Sequence, residues 1–193
     1  MAPYYSQHVT TVVLFAVTVG AWVVVELLQS LKHRSNATSR DRGSYFLLIG
    51  CLAVGWVLAA LSLNFPWAVI AGQAIACYVG LVLAWCGLGL RVWAFRTLGR
   101  YFTFRVKTSA DQPVISSGPY RVIRHPGYTG ILLIMLGLSL NYGTWVAPLA
   151  VIVFPTIGLV IRIRVEEQAL AADLGEPYRA YAASRKRLIP FIW

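Results

Sequence analysis

The chain has 193 residues, 58% of them hydrophobic and 12% charged, with a mean hydropathy of +0.66. A soluble domain carries about 25% charge, and its core has no use for apolar runs of about twenty residues. The composition therefore excludes a soluble globular protein and points to a polytopic, all-α integral membrane protein. The net charge of +10 follows the pattern of membrane orientation, set out below, and not that of a nucleic-acid partner.

Val9 to Leu31 is the first expected span, long enough at about 1.5 Å per residue to cross a hydrocarbon core of about 30 Å. Nothing basic precedes it and no small-residue cleavage site follows, so it reads as a retained span and not a signal peptide. Glu26 is its one charge. It is either an acid paired with a nearby base or a polar group facing the bundle interior. Lys32 to Ser44 is a polar loop, where Asn36-Ala37-Thr38 matches a glycosylation acceptor that the basic loop places inside. Tyr45 to Leu63 is the second span, and Asn64-Phe65-Pro66-Trp67 an outer turn with aromatics at headgroup level. Ala68 to Leu90 is the third span, continuing as helix to Leu98. Its Gly87-Leu88-Gly89 follows no strand and reads as close helix packing. Cys51, Cys77 and Cys86 lie in apolar runs without metal-ligand spacing and read as small buried apolar side chains.

Gly99 to Gly127 is the longest polar stretch. It ends in the densest polar segment of the chain, Gly118-Pro119-Tyr120-Arg121-Val122-Ile123-Arg124-His125-Pro126-Gly127-Tyr128-Thr129-Gly130. Pro126 suits the first position of a helix, because the N–H it lacks would be an orphan there. His125 then falls at or next to the N-cap, beside free N–H groups and the positive end of the helix dipole, a setting for an anionic group. The other reading is a basic interfacial loop holding lipid headgroups. The apolar stretch from Pro126 to Leu140 underfills a bilayer, and Asn141-Tyr142-Gly143 turns the chain back. Thr144 to Ile161 is the fifth span, with Pro148 and Pro155 as kink sites. The fourth and fifth spans read as a helical hairpin, buried by neighbours or set in a thinned bilayer.

The lysines and arginines test this layout. The first inner loop holds four, the side from Arg91 to Arg124 seven, and the tail from Arg162 six, which together are all 17. The positive-inside rule then gives an outside N-terminus, five spans and a cytoplasmic C-terminus. No repeat, linker or second domain is visible, so residues 1–193 read as one domain.

The tail opens with Arg162-Ile163-Arg164-Val165-Glu166-Glu167, which places Arg162 and Glu166 four apart on one helix face. Adjacent glutamates at a membrane exit are unusual. They are either a solvated turn paired with its own arginines, or carboxylates that receive a cation or take a proton. Leu174-Gly175-Glu176-Pro177-Tyr178-Arg179-Ala180-Tyr181 then sets two tyrosines three apart, as interfacial anchors or as the wall of a pocket.

Arg-His-Pro-x-Tyr-x-Gly opening a helix, a short hairpin, Glu-Glu and then Gly-x-x-Tyr-x-x-Tyr, in that order, resembles the isoprenylcysteine carboxyl methyltransferase family. The wider group includes phospholipid N-methyltransferases. The likeness covers the catalytic region, about residues 100–193. It implies an S-adenosylmethionine-dependent membrane methyltransferase, with S-adenosylhomocysteine as product and a cytosolic cofactor pocket built from the inner loop and the C-terminal tail. It also implies a lipophilic methyl acceptor, prenylcysteine-like or another lipid, entering from the bilayer. Carried over residue by residue, the resemblance puts Gly118, Tyr120, His125, Pro126 and Tyr128 at the cofactor. Glu166 and Glu167 fall near its amino acid end and the reaction centre, and Tyr178 and Tyr181 line the pocket. Arg124 is the candidate for holding an anionic acceptor, and Glu167 or His125 the candidate base for a phenol or amine. No metal ligands are implied. Leu174 stands where eukaryotic members have Phe, and Ser184 where they have a basic residue, which bears on the acceptor more than on the cofactor. A phospholipid N-methyltransferase and a non-enzymatic scaffold are the competing readings.

Overall fold

The computed structural model describes residues 2–32, 43–101 and 113–193. The Asn36 acceptor motif, Arg34, Arg40, Asp41 and Arg42 of the first inner loop, and Arg105, Lys107 and Asp111 lie outside the described residues. The described part is all-α: α1 (Val9–Lys32), α2 (Ser44–Leu61), α3 (Gln73–Leu98), α4 (Pro126–Leu140), α5 (Val146–Leu174) and α6 (Glu176–Ser184). Four of these, α1, α2, α3 and α5, are long and apolar enough to cross a membrane, and α4 is a shorter apolar helix. The integral membrane fold expected from the sequence is therefore present, with α4 bounded at the residues the proline and the Asn141 turn mark.

Two boundaries differ from expectation. Residues 66–68 form a separate short turn, so α3 begins at Gln73 rather than Ala68. The fifth helix does not stop at Ile161; it runs through Glu166-Glu167 to Leu174, where Gly175 takes φ +61° and ends it. Pro177 then starts α6. The glutamates thus stand on a continuous helix that leaves the bundle, and not on a turn.

α4 lies chiefly against α3 and α5 against α2, and the two also pack on each other, so the expected hairpin is present and buried by its neighbours. Glycine sets the α3–α4 distance. A Cβ on Gly87 would sit 2.6 Å from the Gly130 carbonyl oxygen and 2.8 Å from the Ile134 nitrogen. Gly89, two residues on, has nothing within 4 Å. Backbones this close gain dispersion contacts that lipid tails cannot match. α4 is central: Met135 packs with Ala59, Ala147 and Val151, while Ile134 and Leu138 pack with Ala84 and Leu88. No residue of α4 is exposed. A helix walled in by protein has no lipid thickness to match, which accounts for its 15 residues.

At the end away from the polar loops, Asn141 accepts from Cys77 Sγ at 3.0 Å and donates to the Gly137 carbonyl at 2.8 Å. Ser62 and Thr144 share a 2.6 Å hydrogen bond across the neighbouring turn. Of the three cysteines only Cys77 is fully buried; Cys51 is half-buried and Cys86 exposed on the outer face of α3. The expectation of three buried cysteines fails because α3 has a bundle face and an outer face, and uniform apolarity hides which is which.

The glycine contacts give a direct test. Gly87→Val should destabilise the protein by about 1–3 kcal/mol through overpacking, whereas Gly89→Ala should leave the detergent-solubilised melting temperature nearly unchanged.

Candidate active site

The N-terminal turn of α4 organises the site. Pro126 is at N1 and His125 is the N-cap, as expected. The His125 backbone carbonyl accepts from Tyr128 N and Thr129 N at 3.0 and 3.1 Å, leaving the ring free to reach α5. His125 Nε2 lies 3.1 Å from Glu167 Oε1. A carboxylate only accepts, so Nε2 carries the proton in that bond. Nδ1 faces Glu166, 4.0 Å away. The ring also stacks on Tyr128, with centroids 5.6 Å apart. Tyr128 O–H donates to Glu166 Oε2 at 2.6 Å and accepts from Arg162 Nε at 2.9 Å. The i,i+4 pair read from the sequence thus converges on one phenol.

The C-terminal tail closes the site from the other side. Arg124 N and His125 N donate to the Lys186 and Arg187 carbonyls at 2.8 and 2.9 Å, and Thr129 Oγ1 donates to the Leu188 carbonyl at 2.8 Å. Arg187 donates to Glu167 Oε2 at 2.9 Å. Arg124 Nε lies 3.1 Å from Glu167 Oε1, close enough for ion pairing but without an aligned hydrogen bond, while its Nη1 donates to the Ala182 carbonyl at 3.0 Å. Glu167 is therefore ringed by His125, Arg124 and Arg187.

These groups border a cavity of about 400 Å³, within the range of small-molecule sites. Its polar end is lined by Tyr120, Arg124, His125, Glu166, Tyr178 and Tyr181; its apolar end by Leu48, Ile49, Leu52, Ile131, Met135 and Leu159. Tyr178 O–H is buried with no hydrogen-bond partner, and Tyr181 O–H donates to the Tyr120 carbonyl at 2.9 Å. Burial raises the Tyr178 phenol far above its ordinary value, reinforced by Glu167 and Glu166 and opposed by Arg124. Tyr181 is pushed up to about 12, mainly by burial, against the pull of Arg124 and Arg185. Both stay neutral phenols at working pH and serve as hydrogen-bond donors, not bases.

Most expected site residues meet here, but three do not reach the cavity wall. Gly118, with φ +55°, abuts Thr97 and Trp93 of α3, where a Cβ would come within 2.7 Å of Thr97 Oγ1. It seats the loop that carries Tyr120. Pro126 is buried in the helix start, and Glu167 stands behind His125 and Arg124. Leu174, one of the two departing positions, lines the cavity, while Ser184 Oγ donates to the Tyr181 carbonyl at the end of α6.

The sequence reading missed a second ion pair in the same wall. Arg91 Nε and Nη2 both donate to the Glu26 carboxylate, the latter at 2.9 Å. Trp22 Nε1 donates to the same carboxylate at 3.0 Å, and Arg91 Nη1 donates to the Gly127 carbonyl at 2.8 Å. The paired reading of Glu26 holds, and the pair also lines the cavity. Arg91 was counted as an inner-side charge, yet it is 5% exposed. The available signal was one acid and one base, each inside an apolar helix, which call for each other.

The sequence model of the isoprenylcysteine carboxyl methyltransferase family matches residues 78–172. That stretch, just under half of the chain, is similar to that family. A probable protein-S-isoprenylcysteine O-methyltransferase of rice (Oryza sativa subsp. indica) is 34% identical over 120 residues, which are 60% of this chain and 61% of the rice protein. An uncharacterized protein of Bacillus subtilis (strain 168), YpbQ, is 31% identical over 81 residues, 42% of this chain and 48% of its own length. The solved structure of a eukaryotic intramembrane Ras methyltransferase, ICMT, superposes with a TM-score of 0.58 at 26% identity, covering 75% of this chain and 52% of that one. The chain thus spans about half to three fifths of these relatives. The family match ends two residues before Leu174, so the tail that supplies Tyr178, Tyr181 and Arg187 lies beyond it.

Removing one partner of the Glu26–Arg91 pair leaves a buried charge uncompensated. Arg91→Met should cost about 3–5 kcal/mol, and the Glu26→Gln/Arg91→Met double substitution should recover much of that loss. A thermal-unfolding double-mutant cycle measures both.

Proposed function

We propose that the chain is an S-adenosylmethionine-dependent methyltransferase, one domain over residues 1–193, acting on a lipid-tailed acceptor at the cytosolic membrane interface. The observation that carries the reading is one cavity with two characters. The His125, Tyr128 and Glu166 cluster borders its polar end, and an apolar chamber between α2, α4 and α5 forms the other. A sulfonium cofactor and a lipid tail need those two environments.

The residues present fit the cofactor. The buried Tyr178 hydroxyl lacks a partner, and the Glu166 carboxylate is 29% exposed toward the cavity. Tyr120, His125, Tyr128, Glu166, Tyr178 and Tyr181 would hold it. When bound, S-adenosylmethionine supplies an electrophilic methyl group on a sulfonium. Glu166 provides an anion for a positive group, and the tyrosine rings shut out water. Glu167 acts one layer back: it fixes the His125 ring and the Arg124 guanidinium against the wall. Tyr128, held by Arg162 and Glu166, presents an oriented hydroxyl without being a base.

For the acceptor, the apolar chamber takes the hydrocarbon chain, prenyl or otherwise. Arg124, in the polar end, orients an anionic head such as a carboxylate, which needs no base. One feature favours a second acceptor class. Arg124 already serves the Ala182 carbonyl and Glu167, which leaves it less of its fork for bidentate binding. An amine or phenol acceptor would draw instead on Glu166 or His125 as proton acceptor.

His125→Ala should weaken S-adenosylhomocysteine binding roughly tenfold or more, the worth of one charged hydrogen bond of about 1.5–3 kcal/mol, and Glu167→Ala should weaken it indirectly by freeing the His125 ring. Calorimetry on folded protein reads this, and unchanged affinity in both removes the cofactor assignment. Identifying the lipid labelled by radioactive cofactor in membranes then chooses the acceptor class.

The proposed orientation puts the N-terminus outside and the C-terminus and active site on the cytoplasmic side. Single cysteines placed in the exposed Asn64–Trp67 turn or at the exposed Trp145, in a background lacking the native three, should react with an impermeant reagent added outside intact cells. Labelling only after lysis reverses the orientation.

A further inference from the structure

Beyond the catalytic cavity lies a second one of about 260 Å³, on the far side of Arg124. Arg124, Arg185, Lys186 and Arg187 line it, together with Trp193, and no acid does. Glu167 pairs with Arg124 and Arg187, and the four basic side chains outweigh it, so the pocket wall carries a positive excess. The walls are built, not draped. The chain from Arg185 to Leu188 is bonded alongside 123–129, Arg187 stacks over the Trp193 ring at 5.3 Å, and Leu188 N and Ile189 N donate to the Trp193 carbonyl at 2.8 and 2.9 Å. Arg185 Nε is buried there without a hydrogen-bond partner.

A second observation gives the depth and the surroundings. The Thr129–Leu188 hydrogen bond carries the tail one turn along α4, from its N-terminus toward the bilayer. Just beyond it, the turn Ile189-Pro190-Phe191-Ile192 exposes three large apolar side chains; Phe191 is 93% exposed. Phe191 is also the only non-glycine residue with positive φ among the described residues, at +66°. An exposed aromatic side chain at such a tip is costly in water and at home in acyl chains.

We propose that residues 184–193 form a clamp for the phosphodiester headgroup of an anionic lipid. The phosphate enters the pocket of Arg185, Lys186 and Trp193, and the Phe191–Ile192 tip inserts beside its acyl chains. Basic residues next to a span attract anionic headgroups, and here a walled pocket adds a fixed seat. Because Arg124 and Arg187 are shared between this pocket and Glu167, a bound headgroup borders the residues that fix His125.

The test is native mass spectrometry of the whole chain released from nanodiscs of mixed phosphatidylcholine and phosphatidylglycerol. The expected result is a retained phosphatidylglycerol adduct, reduced at least about tenfold in Arg185→Gln/Lys186→Gln. Phe191→Asn, which keeps a residue tolerant of positive φ, should also reduce it. None of the three substituted residues lines the catalytic cavity, and melting temperature reports that the variants are folded. Equal retention of the two lipids, or an undiminished adduct in the double variant, overturns the proposal. Displacement of the adduct by millimolar inorganic phosphate alone overturns the lipid assignment in favour of a free-anion site.

Discussion

A charge inside a bilayer is tolerated only with a partner, and that constraint shapes the loop-facing end of this bundle. Arg91 holds Glu26 of α1 and the Gly127 carbonyl of α4 from its place on α3. Arg162 holds the Tyr128 phenol from α5. Arg124 and Arg187 hold Glu167 between the start of α4 and the tail. Each guanidinium ties together elements distant in sequence. The same arginines that orient a membrane protein by their number thus orient its site by their geometry.

α4 is where these ties converge, and its shortness follows. It is gripped along one side by α3 through Gly87 and Gly130, and its first turn is fixed by Arg91 and by the tail. His125 and Tyr128, one turn of helix apart at most, inherit that rigidity. The stacked pair then meets two adjacent glutamates on α5, each taking one partner: His125 to Glu167, Tyr128 to Glu166. Adjacent residues on a helix point about 100° apart, so two neighbouring carboxylates serve two different layers, one at the cavity and one behind it.

The tail supplies another wall of the site. α6 brings Tyr178 and Tyr181 over the polar end, and the strand-like run after Ser184 lies against 123–125. The tail is held by two main-chain hydrogen bonds, from Arg124 N and His125 N, and by side-chain ones from Arg124, Thr129, Tyr181 and Arg187.

The sequence by itself determined the membrane class, the helix start marked by Pro126, and the residues of the polar cluster. These are local or compositional matters: run length, a missing N–H, an i,i+4 spacing. Only the tertiary structure decided which helices pair, that Gly118 seats a loop, that Glu167 stands behind His125, and that Arg91 finds Glu26. Helices this uniformly apolar show no face in their sequence, because lipid and protein core select the same side chains. Their partners are set by backbone approach at glycines and by buried charges finding one another, and both are relations between residues far apart in the chain.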